Sequence, residues 1–377
     1  MIFDIWLTET PFLLKIKILI ALRLCLEKPY MLSARHIKRK LKKVNIYYVK
    51  ATDKGISRNR HGRGFKYLDK NGKKIVDALI IRRIKSLAIP PAYSNVWICP
   101  SPHGHIQAMA YDDRRRKQYI YHPYWNTLRN ENKHLQMVLF GKLLPSIRRR
   151  IEQDLRDKAM SKAKLIAAAI KLLDLTHIRI GNKEYSVKNA SHGLTTLHKK
   201  HIDVKKSKIH FDFRGKSKQL WNLDIYDAQL AKVIKRCESI PGYELFKYYD
   251  EQGHVKVLRS NDINAYLKKI TQHSITAKDF RTWAGTVLFI EAILAASADS
   301  LDKNIKMQTI SYIKHIAKQL GNTPSVCKKS YIHPEIIALH QNRQLGPLLI
   351  AMKPKKIAYL SPAETITLHI LISQGKQ

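Results

Sequence analysis

The sequence predicts an α+β protein: a small antiparallel β domain followed by a larger, mainly α-helical domain carrying a three-stranded sheet. Three observations carry this. Residues 54–123 hold short apolar–polar alternations punctuated by glycine and proline. From Trp125 onward the apolar residues recur at steps of three and four. Further on, Ile209, Phe211 and Phe213 alternate with His210, Asp212 and Arg214, and Trp221, Leu223 and Ile225 alternate again after Gly215, so a sheet with one buried face interrupts the helices. The change of period sets the expected division: an amphipathic extension over residues 1–35, a β-rich unit over 36–124 and a helical unit over 125–377.

The extension contains Pro11–Leu24, whose apolar run is broken by Lys15, Lys17 and Arg23. The unbroken stretches are far shorter than the roughly 20 residues a span requires. In the β-rich unit, Asn71-Gly72 between Phe65–Leu68 and Lys74–Val76 signals a hairpin, because both turn residues tolerate positive φ. Asp77 is placed to cap a short helix bearing Ile80, Ile81, Ile84 and Leu87 on one face, and Pro90-Pro91 ends it. Strands follow at Val96–Cys99, His105–Tyr111 and Lys117–His122. In the last, Tyr119 and Tyr121 share a face behind the basic run Arg114–Lys117; such an edge suits phosphate contacts, and the same alternation also fits half-buried core.

In the second unit, stretches 132–150 and 152–173 read as helices, Leu194–Leu197 and His201–Val204 as strands, and residues 285–297, apolar nearly all round, as a buried central helix. Residues 305–320 form an amphipathic helix that Gly321 can stop. Thr323-Pro324 is a ready N-cap and first helical residue. The helix it starts should run towards Tyr331, two turns on, placing Tyr331 on the helix on the face of its start.

Composition narrows the function. The 377 residues hold 69 Lys+Arg against 29 Asp+Glu, a formal charge of +40 spread over most of the chain. Folded surfaces carrying that charge repel themselves unless a polyanion binds, and nucleic acid is the natural one. A basic membrane-surface protein ranks lower, since no long basic amphipathic helix dominates. Cys25, Cys99, Cys237 and Cys327 lie far apart with no paired Cys/His ligand spacing, which points to a reducing compartment and to no zinc site. His103-Gly104-His105 reads as a surface turn. Gly215-Lys216-Ser217 suggests a phosphate-binding loop and fails as one: the required earlier glycine is His210, on a strand, and no helix follows.

Attack by a tyrosine on a phosphodiester would ask for a nucleophile, a charge clamp and a proton donor. A tyrosine attacking a phosphodiester must be activated from a pKa near 10, the extra charge on five-coordinate phosphorus must be held, and the departing alkoxide must be protonated. Arginine suits the second task through its planar, permanently charged fork, and lysine suits the third. Arg179, Lys216, Arg281 and Tyr331 occur in an order and setting that fit these roles, with Asn322 as a neutral donor. Any one of them alone is most often a solvated charge or a core-edge tyrosine; in order and inside their flanks, that reading becomes improbable.

Those flanks carry a close resemblance. Gly62–Tyr67, Arg83–Tyr93, Arg116–Pro123, Ile178–Asn182, Gly193–Leu197, Phe213–Ser217, Lys278–Thr286 and Leu320–Tyr331 resemble the type IB DNA topoisomerases of the small, bacterial, poxvirus-like branch, over about residues 50–335. The resemblance implies the tyrosine recombinase/topoisomerase IB catalytic fold in a C-shaped clamp on double-stranded DNA. It implies Tyr331 as the nucleophile forming a 3′-phosphotyrosyl link, Arg179 and Arg281 as the clamp on the phosphorane, and Lys216 as the donor to the 5′-oxygen. Asn322 stands where poxviral and nuclear members have histidine; it can donate one hydrogen bond but carries no charge. Gln118, Tyr119 and Tyr121 match residues that grip backbone phosphates, and Lys117, Tyr185 and Lys328 join them as DNA-contact candidates. The same resemblance implies no cofactor or metal, a monomer without a required protein partner or membrane, and a cytoplasmic, nucleoid-associated place. A tyrosine recombinase would share the nucleophile, but typically shows His-x-x-Arg where this chain has Lys278 before Arg281, and a helical N-terminal domain. A non-catalytic DNA-packaging protein would explain the charge and leave Lys216 and Tyr331 superfluous.

Overall fold

The computed structural model describes residues 34–296, 304–352 and 354–374. The extension expected over residues 1–35 lies almost wholly outside them. The chain divides into two compact units, Met1–Leu135 and Gln136–Gln377, the division falling within the long helix Pro123–Arg156. Among the described residues no helix is long and apolar enough to cross a membrane.

The first unit is built on a five-stranded antiparallel sheet of order β2-β1-β3-β4-β5, with β1 at Ile56–His61, β2 at Gly64–Leu68, β3 at Ser94–Ile98, β4 at Ile106–Tyr111 and β5 at Lys117–Tyr121. Its core gathers Ile56, Ile84, Val96, Ile98, Ala108 and Ala110, with Ile80 and Leu87 of the short helix packed against it. Asp77 caps that helix, its Oδ1 accepting from the backbone N–H groups of Leu79 at 2.8 Å and Ile80 at 3.2 Å. The expected hairpin needs correction. The partner of β2 is β1, turned at Gly62-Arg63, whereas Lys74 meets Leu68 in a single bridge. The Asn71-Gly72 turn itself forms, tied by Asp69, but residues 74–76 run on into the Asp77 cap and do not form a strand.

In the second unit the three-stranded antiparallel sheet β6-β7-β8 is present, with β6 at Ile202–Lys205, β7 at Lys208–Arg214 and β8 at Leu220–Tyr226. Its buried face carries Ile209, Phe211, Phe213 and Trp221. Two expectations fail here. The helices expected at 132–150 and 152–173 are Pro123–Arg156, with Pro145 inside it, and Lys162–Thr176; the break lies where Ser161 caps the second. Leu194–Leu197 is not a strand but a 3-10 turn, Leu194–Thr196, because its backbone N–H groups bond a neighbouring loop and not a ladder. A short pair, β9 (Lys247–Tyr249) and β10 (Val255–Val257), completes the strands.

The helix Ala277–Leu294 is the buried centre of this unit, every residue from Phe280 to Val287 being buried. One ionic network braces its rear. Arg148 donates to both Asp174 oxygens at 2.7 and 3.0 Å and to both Glu364 oxygens at 2.7 and 2.8 Å. Glu364 in turn accepts from the indole N–H of Trp283 at 3.1 Å. Arg148→Met is expected to destabilise the fold by about 3–5 kcal/mol, because it strands the buried Glu364 and half-buried Asp174 carboxylates; chemical denaturation measures it. Burial pushes the Glu364 carboxyl up, yet the bonds and charge of Arg148 outweigh this and hold it below the ordinary range. The stability from this depressed carboxyl is complete above the ordinary glutamate range and is lost as pH falls through the lowered value.

Candidate active site

Four of the five predicted catalytic residues come together in the second unit. Arg179 follows the helix Lys162–Thr176, whose cap His177 turns the chain with φ 55°. The loop it occupies is clamped backbone to backbone. Leu194 N–H donates to Arg179 O at 2.8 Å and Thr195 N–H to Ile180 O at 2.8 Å. Glycine is required at 193: a Cβ there would lie 2.5 Å from Arg179 O and 2.6 Å from Gly181 Cα. This explains why Ile178–Asn182 and Gly193–Leu197 occur as paired motifs.

Arg281 sits on the buried helix and is itself only 3% exposed. Its guanidinium donates to His177 O and, at 2.6 Å, to Leu320 O, while its buried Nε has no hydrogen-bond partner among the described residues. Arg179 donates to Gly321 O at 2.8 Å and to the Asn322 side-chain oxygen. Asn322 is held by its own N–H on Ala317 O at 2.8 Å and by its side-chain amide on Leu320 O at 3.3 Å. Both guanidinium groups are thus aimed by main-chain carbonyls at the turn that ends the helix Ile305–Gln319. Gly321 enables that turn with φ 57° and packs against Trp221, which stacks on Phe213 at 6.1 Å.

Tyr331 is displaced slightly from expectation. The helix runs Pro324–Ser330, with Thr323 Oγ1 accepting from Val326 N–H, and Tyr331 is its C-cap at φ −124°, ψ −28°, one residue past the last helical turn. The two-turn count was sound, but Ile332 N–H reaches back to Cys327 O, so the helix closes before Tyr331. Its ring lies beside Arg281, whose Cζ is 5.2 Å from the ring centroid.

The electrostatics suit an anion. Burial, then the charge of Arg179, brings Arg281 down to about 10, so it remains a cation at neutral pH at the cost of like-charge repulsion. Burial of Tyr331 pushes its phenol up, but the charge and hydrogen bond of Arg281, together with Arg179 and Lys278, prevail and set it below the ordinary tyrosine value. A bound phosphate would relieve the repulsion between the guanidinium groups and satisfy donors that water cannot reach.

Lys216 stands apart. It opens a short 3-10 turn between β7 and β8, exposed at the hairpin tip, and its side chain makes no hydrogen bond or ion pair among the described residues. Lys328 is likewise exposed, on the helix leading to Tyr331. Tyr185 lies on the helix Lys183–Asn189, but its side chain is outside the described set.

In the first unit the expected DNA contacts share the edge strand β5. Tyr119 and Tyr121 stack at 5.9 Å, with Lys117 over the first ring at 5.8 Å and Arg129 over the second at 5.1 Å. Gln118 faces the other way and donates to Asp112 at 2.9 Å. The bonds from Arg116 are the main reason that the Asp112 carboxyl is held down to about 2.

Several residues that position the site escape sequence reasoning. Gly285 is one: a Cβ there would lie 2.8 Å from Tyr331 O and 2.9 Å from Tyr331 Cβ. Thr286, fully buried, donates to Tyr331 O at 3.3 Å and accepts from His333 N–H at 3.0 Å. The only outward sign of either is a small residue inside an otherwise bulky helix. Gly285→Ala is expected to move the phenol and slow the phosphoryl attack expected of it about 10- to 100-fold, since misplacement by about 1 Å costs that much. Single-turnover formation of covalent complex measures it; a change under about twofold would mean that the helix does not brace Tyr331. The Arg148 network and the His177 carbonyl act in the same way on the arginines. The histidines, read from sequence as holding no ligand set, also converge at one place, where His192, His198 and His201 meet.

Comparison with known proteins agrees with this geometry. Residues 122–345 match the family model described as "Eukaryotic DNA topoisomerase I, catalytic core", and residues 64–112 match "Bacterial DNA topoisomerase IB, N-terminal domain". The chain is 32% identical over 295 residues to DNA topoisomerase 1B of Acanthamoeba polyphaga mimivirus, covering 76% of this chain and 88% of that protein. It is 24% identical over 237 residues to DNA topoisomerase 1B of Vaccinia virus (strain Copenhagen), covering 62% and 71%. Against DNA topoisomerase 1 of Rabbit fibroma virus (strain Kasza) it is 27% identical over 229 residues, covering 59% and 68%.

Proposed function

The chain belongs to the type IB DNA topoisomerase family, and from that membership together with the site we infer that it relaxes supercoiled DNA by transient cleavage of one strand. The observation that carries this reading is the buried pair of guanidinium groups, Arg281 beside Tyr331 and Arg179 beside Asn322, around one phenol whose pKa they lower.

Tyr331 Oη attacks the scissile phosphorus and gives up its proton to water. Arg179 and Arg281 hold the equatorial oxygens as negative charge grows, their aim preset by the carbonyls of His177, Leu320 and Gly321. The Asn322 amide, with a second N–H beyond the one on Leu320 O, donates to a phosphate oxygen and contributes no charge. The P–O5′ bond breaks, its electron pair goes to O5′, and Lys216 protonates that oxygen. The exposed Lys216 side chain has no hydrogen bond or ion pair among the described residues to hold it away from a DNA strand. A 3′-phosphotyrosyl bond replaces one phosphodiester with another of similar energy, so the free 5′-hydroxyl reverses it without nucleotide hydrolysis once the strand has swivelled. The charge is supplied by arginine, so no step calls for a metal ion. The basic, aromatic edge of β5 grips backbone phosphate and holds the duplex irrespective of sequence. The protein acts as a monomer on chromosomal DNA in the cytoplasm.

The test is incubation of the full chain with supercoiled plasmid in EDTA and without nucleotide. Progressive relaxation is expected, weakening as salt is raised because phosphate contacts release counterions. No relaxation, or reaction only on substrates bearing paired specific sites, would overturn the reading, the latter in favour of a recombinase.

A further inference from the structure

Away from the catalytic residues, the described part of the molecule brings three metal-ligating side chains together. His192, His198 and His201 each offer a ring nitrogen, and these atoms all lie within 4.8 Å of one another. Two 3-10 turns, Leu194–Thr196 and Lys199–His201, fold the segment back on itself and make the cluster. The ring centroids of His192 stand 4.8 Å from His198 and 4.4 Å from His201, and the latter two rings stack at 5.2 Å.

The hydrogen bonding at His192 is that of a ligand. His192 Nδ1 lies 2.6 Å from Thr196 O; a carbonyl only accepts, so the proton sits on Nδ1 and the Nε2 lone pair is left for a ligand. A metal-bound histidine almost always donates its other N–H in this way. At His201 the backbone N–H of His198 donates to Nδ1 at 3.0 Å, so ligation through that nitrogen exchanges one ordinary hydrogen bond for a metal bond. The set contains no carboxylate, which argues against Mg²⁺ and Ca²⁺ and for a borderline ion.

We propose that His192, His198 and His201 form a binding site for a single transition-metal ion of the Zn²⁺, Co²⁺ or Ni²⁺ class, with water completing a tetrahedron. At metal–nitrogen bonds of about 2.0–2.1 Å the three nitrogens of a bound site stand about 3.4 Å apart, so binding draws together atoms that here lie within 4.8 Å of one another. The ion would act as a brace. His192 N–H donates to Arg214 O at 2.7 Å, two residues before Lys216, and the intervening turn holds the Arg179 loop through Leu194 and Thr195. Fixing the three rings therefore ties the loop that aims one arginine to the base of the hairpin that carries the lysine.

The experiment uses the full chain, stripped with EDTA and dialysed free of it, then titrated with Co²⁺ and, by calorimetry, with Zn²⁺. Expected are one ion per chain, the intense visible bands of tetrahedral Co²⁺, and a melting temperature raised by Zn²⁺. His198→Gln and His201→Gln should each weaken binding by at least about tenfold, and the double substitution should abolish the bands. His254→Gln, on an exposed turn elsewhere, should leave affinity unchanged. His198 is half-buried, so that variant carries the test if the His201 variant fails to fold. Absence of saturable binding by the unmodified chain, or equal affinity in the folded His198→Gln variant, would overturn the proposal.

Discussion

Tyr331→Phe is expected to leave DNA binding intact and to eliminate strand cleavage. The substitution removes one oxygen and keeps the ring that packs beside Arg281 at 5.2 Å, so the fold and the phosphate clamp survive. The loss should exceed about 10⁴-fold, because removing the nucleophile of an enzyme that works through a covalent intermediate costs of order 10⁶ in turnover. A 5′-labelled strand carrying the scissile phosphate provides the readout. With the unmodified chain, label migrates with protein on a denaturing gel, and with the variant it does not. Label still attached to the variant would assign the nucleophile to another residue. A variant that also failed to bind DNA would assign Tyr331 a structural part instead.

Arg281→Ala should lower the cleavage rate about 10²- to 10³-fold, the typical loss on removing one preorganised donor to a developing oxyanion. Lysine should not restore it. Its single ammonium cannot reach both the His177 and Leu320 carbonyls while presenting a fork to phosphate, a geometry that the guanidinium meets at no added cost. The pH dependence separates this role from simple packing. Cleavage that depends on the phenolate rises with pH through the Tyr331 pKa, which Arg281 does most to hold below the ordinary value against the upward push of burial. Without Arg281 that push is less opposed, and the rising limb of the single-turnover rate moves to higher pH. A limb that stays in place while the rate falls would mean that Arg281 stabilises the transition state without activating the nucleophile.

What residue order made legible was local. Thr323-Pro324 states a helix start and Gly321 a helix stop, because capping and positive φ depend on a few adjacent bonds. Asp77 likewise announces its helix. The sheet β6-β7-β8 is readable from alternation alone, since one buried face forces a period of two. Expectations failed where a distant partner decides. The Asn71-Gly72 turn was visible, but β2 pairs with Ile56–His61, a strand so polar that no periodicity marks it. Leu194–Leu197 holds two β-branched threonines that favour a strand, and its backbone N–H groups are instead taken by Arg179 and Ile180. His192, His198 and His201 sit at spacings that belong to no single helix or strand, so only the two 3-10 turns bring them together.

The chemical inventory, and the family it signifies, is written in the chain itself: a tyrosine after a capped helix, two arginines and a lysine in fixed flanks, and a charge of +40 that requires a polyanion. Residue identity and short-range order suffice for that, because which groups can attack, clamp or donate is a property of side chains. Folding alone decided their aim. Arg179 and Arg281 point as they do because carbonyls of His177, Leu320 and Gly321, from segments more than 140 residues apart in the case of Arg179 and Gly321, take their N–H groups. Tyr331 stands where it does because Gly285 offers its main chain a surface without a side chain and Thr286 bonds its carbonyl. Such contacts join residues remote in sequence, and no local propensity encodes them.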